Sequence, residues 1–223
     1  LLFFRRETRD AVVGPFTLIG DLRAKQDLRP QSKLALLLII ATVPVLAFGL
    51  FLEATGLRDE WLGDPRQTLK IIGWTTLIFG VLLYVSDRFF KSERTLEGWT
   101  VGSAIWMGLA QAVALIPGVS RSGVAMTMGR FLGYGREEAA RIAMQMAIPA
   151  ILAAGGFDAL KMIVNNELEL GQDAAIAAGL SFISAFVALA LMMRFLASVS
   201  FTPYVIYRLL LGAALLWTAY ANV

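Results

Sequence analysis

The sequence contains no histidine and no cysteine. The first absence excludes Ser-His-Asp triads, His-ligated zinc, phosphohistidine intermediates and histidine general bases built from this chain alone. The second excludes thiol nucleophiles, disulfides and Cys-type metal sites, and it leaves the redox compartment unreadable. Charge is scarce as well: Asp, Glu, Lys and Arg make up 17% of the 223 residues, where an ordinary globular chain has about a quarter. Hydrophobic side chains take their place at 57%, with a mean hydropathy of +0.67. That much apolar surface needs lipid to cover it. The net charge of +3 and pI of 9.4 are modest; in a membrane protein they bear on orientation, and they point to no nucleic-acid partner.

The chain opens with Leu1-Leu2-Phe3-Phe4 running directly into Arg5-Arg6. A basic n-region and a small-residue cleavage site are both missing, which argues against a signal peptide. The stretch reads as the tail of a hydrophobic helix whose earlier part is absent, so an N-terminally incomplete chain is expected. The zero histidine count is to be read in that light.

Charges come in clusters, and the gaps between clusters are the candidate membrane spans. The runs at 34–52, 68–86, 139–162, 174–193 and 201–221 each approach the ~20 residues that cross a ~30 Å hydrocarbon core. None shows the alternation of an outer-membrane barrel. The expected fold is therefore all-α, a polytopic integral membrane protein forming one membrane domain over 1–223. Within it, 1–33 is expected as a helix end followed by a basic cytoplasmic loop. Lys and Arg concentrate at 5–33 and 87–98, which read as cytoplasmic, whereas 53–66 and 163–173 are acidic and read as external.

Between the cytoplasmic loop at 87–98 and the external loop at 163–173 the chain must cross an odd number of times. Three apolar pieces lie there, and the middle one, 121–134, is about 21 Å long as helix and too short to span. It is followed by Arg130, Gly133, Gly135 and Arg136, a basic, glycine-broken stretch that looks cytoplasmic again. A re-entrant hairpin over 98–134, turning at Pro117-Gly118, solves the parity. The alternative is three full spans, one of them short and tilted.

Re-entrant backbone is tolerated at membrane depth only where protein or a water-filled cavity satisfies it, so this turn should line a site. Its sequence is Pro117-Gly118-Val119-Ser120-Arg121-Ser122-Gly123, and Arg121 is the only charge between Glu97 and Arg130. An arginine at the centre of a span costs roughly 2.5–3.5 kcal/mol on insertion scales, which calls for a cavity or a permanent anion. Pro117 and Gly118 stop the incoming helix, Ser120 or Ser122 can cap the outgoing one, and Gly123 permits close approach to its first amides. Guanidinium, hydroxyls and a helix N-terminus together make an anion site with phosphate as the natural guest. The plainer reading is an arginine that pairs with a carboxylate or backbone carbonyls and only holds the hairpin. Gln111 lies inside the diving segment, where it either reaches the site or bonds another helix. Arg208, near the start of the last span, is expected to snorkel or pair structurally.

The turn, with Gln111 before it and Gly129-Arg130-Phe131-Leu132-Gly133 after it, resembles the second signature of the bacterial undecaprenyl pyrophosphate phosphatase family, the bacitracin-resistance type. Thr42-Val43-Pro44 with Gly49, and Phe201-Thr202-Pro203-Tyr204-Val205-Ile206-Tyr207-Arg208, extend the match along the chain. The resemblance implies an enzyme of the bacterial cytoplasmic (inner) membrane that hydrolyses undecaprenyl diphosphate to undecaprenyl phosphate and inorganic phosphate. That reaction recycles the lipid carrier for peptidoglycan synthesis and confers bacitracin resistance. It further implies an inverted-repeat fold and a site open to the external face. Eighteen residues from 98 would carry the turn about 27 Å, near the outer leaflet.

On this resemblance Arg121 and Ser120 are the catalytic candidates. Ser122, Gly123, Arg121 and Gly118 bind substrate phosphate, and Gln111, Thr127 and Arg208 are secondary. A divalent cation, Mg or Ca, is implied, with no ligands for it in this chain. The substrate lipid and the bilayer are the implied partners, and a homodimer is left open. Two departures stand out. The family's first signature, paired glutamates followed by a serine-rich turn and a histidine, is missing and would precede Leu1. Where the second signature has a threonine, this chain has Ala125, with Thr127 two places on. The rival class is a secondary transporter or flippase for an anionic, phosphorylated lipid, which hairpins and a midplane arginine also suit.

Overall fold

The computed structural model describes residues 5–24, 27–90, 94–164, 171–196 and 200–221. Leu1 to Phe4 and the middle of the acidic loop at 163–173 lie outside them. The described chain forms α1 (Arg5–Ala24), α2 (Pro30–Thr55), α3 (Leu57–Gly63), α4 (Pro65–Phe89), α5 (Val101–Val113), α6 (Arg121–Phe131), α7 (Arg136–Val164), α8 (Gly171–Leu196) and α9 (Thr202–Ala221). Among the described residues there is no strand, only an isolated bridge between Arg94 and Tyr134. The protein is an all-α polytopic membrane protein. Three helices, α2, α4 and α9, are long and apolar enough to cross a bilayer, and their outward faces carry exposed Leu46, Leu50, Ile78, Val81, Ile206 and Leu210.

Local chemistry sets the ends. Pro30 and Pro65 occupy first helical turns, where a missing N–H costs nothing. Asp64 accepts from Arg66 N and Thr100 from Ser103 N, capping α4 and α5. Gly56, at φ 68, closes α2 in the left-handed conformation.

The first segment differs from expectation: Arg5–Ala24 is helix, not loop. Its density of charge suggested a solvated linker, but Gly14, Leu18 and Asp21 fall at helical spacing and form the buried side against α2. Asp21 reaches Ser32 and Arg29 there.

Two packings position the hairpin. α5 lies against α2 so closely that a Cβ on Gly108 would overlap the Ala41 carbonyl, and Met107 joins Leu38, Ala41, Ile142 and Met146 in one apolar cluster. α4 and α9 cross over Gly73 and Gly212, where a Cβ would collide with Leu216 and Leu77 of the facing helix. α6 packs on α7, with Gly129 against Ala139.

Candidate active site

α5 and α6 have 13 and 11 residues, about 20 and 16 Å of helix, too little to cross a bilayer. Their outer ends lie side by side. Arg94 N donates to the Gly133 carbonyl at 3.0 Å and Gly135 N to that of Arg94 at 3.2 Å. Tyr134, fully buried, donates to Gly98 O at 3.2 Å and meets Ser103 Oγ at 3.0 Å. Two helices of this length that enter and leave at one end form a hairpin too short to cross a bilayer.

The tip is built by short-range bonds and clamped by two helices. Ala114, Leu115 and Ile116 each donate to a carbonyl three residues back, tightening the end of α5. Gly118 follows at φ 86, where a Cβ would collide with Thr75 and Ile72 of α4. Thr75 Oγ1 donates to Pro117 O at 2.6 Å and Thr76 Oγ1 to Gly118 O at 3.2 Å. From α9, Arg208 Nη2 donates to Gly118 O at 2.9 Å and to Val119 O at 3.1 Å, and Nε reaches Thr76 O at 3.4 Å. Thr75 stands about 15 Å from the first residue of α4 and about 20 Å from its last. The tip thus lies level with the middle of α4, beside Thr75 and Thr76.

Ser120 opens α6. Its φ of 70 is the only positive value outside glycine among the described residues, a conformation that costs about 1–3 kcal/mol and persists only where surroundings enforce it. Ser120 Oγ accepts from Gly123 N at 3.3 Å and lies 3.3 Å from the Tyr204 hydroxyl. Val124 N bonds Ser120 O at 2.9 Å, the first full helical bond. The amides of Arg121 and Ser122 therefore have no acceptor among the described residues, and they carry the positive end of the helix dipole.

Arg121 is half-buried. Among the described residues its guanidinium has neither carboxylate nor carbonyl partner, and the Ser122 side chain has no hydrogen bond. The role that a purely structural reading gave to Arg121, bonding backbone carbonyls to hold the hairpin, belongs to Arg208, which is 4% exposed. Arg208 Nη1 takes no part in those bonds and stands 3.5 Å from the position of a Gly123 Cβ, facing the start of α6. Unused fork, free hydroxyl and free amides all belong to the first two residues of α6, and groups of this kind suit an oxyanion.

Three expected residues are committed elsewhere. The Gly118 carbonyl is taken by Arg208 and Thr76, so its part is to make the turn. Thr127 Oγ1 donates to Gly123 O at 2.8 Å, spending its proton inside α6, while Ala125 is fully buried against Leu83, Ala140 and Val205. Gln111 is 1% exposed, and neither of its amide atoms has a partner among the described residues; it is not bonded to the turn. Tyr204 was not singled out from the sequence, and only its offset of four from Arg208, one helical turn, could have drawn attention to it. The donor set at the tip is cationic and N–H or O–H in character. No group of three acidic ligands occurs among the described residues, so this site does not fit a divalent cation and no step is routed through one.

The opposite end of α6 is also polar. Arg130, 3% exposed, gives Nη1 to Tyr134 O at 2.8 Å and Nη2 to Asp87 O and Phe90 O at 3.2 and 3.3 Å. Its Nε lies 3.3 Å from Asp87 Oδ1, an ion pair without hydrogen-bond alignment. Asp87 also takes Arg136 Nε at 2.7 Å and Phe201 N at 3.3 Å, tying α4, α6, α7 and α9 together.

The chain is similar to known proteins along nearly its whole length. Residues 1–214 match the family described as Bacitracin resistance protein BacA. An undecaprenyl-diphosphatase of Jannaschia sp. (strain CCS1) is 50% identical over 222 residues, covering 99% of this chain and 79% of that relative. One from Ruegeria sp. (strain TM1040) is 48% identical over 221 residues with the same coverage. A more distant one from Nocardioides sp. (strain ATCC BAA-499 / JS614) is 36% identical, covering 97% of this chain and 76% of that relative.

Proposed function

The chain belongs to the bacitracin resistance protein BacA family, and we propose that its α5–α6 hairpin is the phosphate-binding side of an undecaprenyl-diphosphatase site in the bacterial cytoplasmic membrane. The reaction is hydrolysis of undecaprenyl diphosphate to undecaprenyl phosphate and inorganic phosphate, which returns the carrier to cell-wall synthesis. The observation that carries this assignment is Arg121: a half-buried guanidinium without a partner among the described residues, at the first residue of a helix whose leading amides are also free there.

Each residue then has a definable part. Arg121 grips two oxygens of the diphosphate through its planar fork. As water adds to the terminal phosphorus and the bond to the bridging oxygen breaks, negative charge shifts onto the departing lipid phosphate. The phosphoryl oxygens keep their charge in a loose transition state. Donors fixed before the reaction stabilise that charge without reorganising: the Arg121 fork, the Ser120 and Ser122 hydroxyls, and the Arg121 and Ser122 amides. Arg208 Nη1 adds a second positive charge at the rim. The hairpin binds and stabilises, and it supplies no general base.

The direct test is phosphate release from undecaprenyl diphosphate in detergent. Release separates a hydrolase from a carrier, since transport needs no bond cleavage. Arg121→Lys keeps the charge and loses the fork, and turnover should fall about a hundredfold with an unchanged melting temperature. Near-normal turnover by that variant would remove Arg121 from the site.

A further inference from the structure

The strained serine has a second partner whose function is not explained by capping. Gly123 N–H occupies one lone pair of Ser120 Oγ at 3.3 Å, and the Tyr204 hydroxyl approaches to the same distance from α9. Either hydroxyl can donate in that contact; a phenol is a better donor and a poorer acceptor than an aliphatic hydroxyl, which favours Tyr204 as the donor. A serine hydroxyl has two lone pairs and one hydrogen. With both lone pairs filled, its own hydrogen is left to donate elsewhere, from the residue that caps the helix of the free Arg121 and Ser122 amides.

The position of Tyr204 is itself fixed. It stands one helical turn before Arg208, with the guanidinium carbon 5.9 Å from its ring centroid. Arg208 in turn grips the Gly118 and Val119 carbonyls. One turn of α9 therefore sets both the backbone of the hairpin tip and the orientation of its capping hydroxyl. A helix cap alone needs only the Gly123 bond, and many N-cap serines have no further partner.

We propose that Tyr204 is a positioning residue of the phosphate site: by donating to Ser120 Oγ it directs the Ser120 hydroxyl proton at the phosphate oxygen held by Arg121. This rests on the hydrolase reading of the hairpin. Tyr204 acts through Ser120, and its effect should vanish when Ser120 has no hydroxyl.

The experiment is a double-mutant cycle on the full chain with Tyr204→Phe, Ser120→Ala and the pair. Tyr204→Phe should lower kcat for undecaprenyl diphosphate about tenfold with KM changed less than about twofold, and Ser120→Ala should lower it about a hundredfold. The pair should match Ser120→Ala alone. Multiplying losses, about a thousandfold in the pair, would show that Tyr204 contacts substrate independently and would overturn the proposal, as would an unaltered kcat in Tyr204→Phe. The same cycle read as affinity for inorganic diphosphate, by titration calorimetry, keeps the two readings apart. If the full-length protein releases no phosphate, the hydrolase assignment fails by itself. The coupling is still measured: about threefold weaker binding in each single variant and no further loss in the pair supports the proposal, and independent losses refute it.

Discussion

The two ends of α6 hold arginines in opposite conditions. Arg130 closes the helix with both terminal nitrogens hydrogen-bonded and its Nε 3.3 Å from Asp87, its charge set in a buried network shared by four helices. Arg121 opens the same helix half-buried, with no protein partner among the described residues. Both guanidiniums are removed from bulk water, where an unpartnered charge is costly. The difference separates architecture from recognition. A satisfied arginine fixes elements relative to one another, and an unsatisfied one, held in place by what surrounds it, keeps its hydrogen-bonding capacity for a ligand. Arg208 lies between these cases, two nitrogens bonded to protein and one facing the start of α6.

Exchanging the two ends should reverse the phenotype. Arg130→Ala breaks a buried pair and leaves Asp87 with Arg136 and the Phe201 amide, at a cost of about 3–5 kcal/mol in stability. Arg121→Ala removes a charge that nothing in the protein compensates. Its melting temperature in detergent should hold or rise while turnover falls by about 3–4 kcal/mol of transition-state stabilisation. If thermal unfolding ranked the two variants alike, the division between the ends would be wrong.

Arg208→Lys should give a mixed result, since a point charge cannot serve Thr76, Gly118 and Val119 together. Losing two of those bonds costs about 2 kcal/mol of stability, at roughly 1 kcal/mol each, and turnover should drop through displacement of the tip. Ser120→Gly separates the two properties more cleanly. Glycine accepts a φ of 70 without penalty and caps nearly as well, so the chain should gain about 1 kcal/mol of stability and lose turnover. A variant both less stable and fully active would show that the serine is held for its fold alone.

How much of this contrast was legible in the sequence depends on range. The hairpin and Arg121 could be read because their signals are local: a lone charge in an apolar run, Pro-Gly before it, serines and glycine at the start of a helix. The partners that decide each residue's role are non-local. Nothing near Arg208 in sequence shows that it grips carbonyls at 118 and 119, and nothing near Ser120 points to Tyr204. Thr127 looked available because a hydroxyl one turn on from Gly123 can face either way, and only its 2.8 Å bond to the Gly123 carbonyl removes it. α1 was mistaken for loop because its charges outnumber the three residues that bury it.

The smallest effect tests the same contrast outside the membrane, where α1 meets α2. Asp21 is buried beside Arg29, which is 58% exposed by its side chain. It takes Arg29 Nε at 2.8 Å, Nη2 at 2.7 Å and the Ser32 hydroxyl. Chiefly the Arg29 hydrogen bond, then that from Ser32, hold the Asp21 carboxyl down at about 2, below its ordinary 3.8. A depressed folded-state pKa stabilises fully above the unfolded value and is lost as pH falls from about 4 toward 2. The melting temperature of the unmodified chain should therefore drop between pH 5 and pH 3 by more than that of Asp21→Asn, which has no carboxylate to titrate. Because Arg29 is largely in solvent, the pair is screened and the difference should be only a few degrees, shrinking further in high salt. Equal drops in both proteins would mean that α1 is held by Leu18 and its apolar contacts, and that this ion pair, unlike the one at Arg130, fixes nothing.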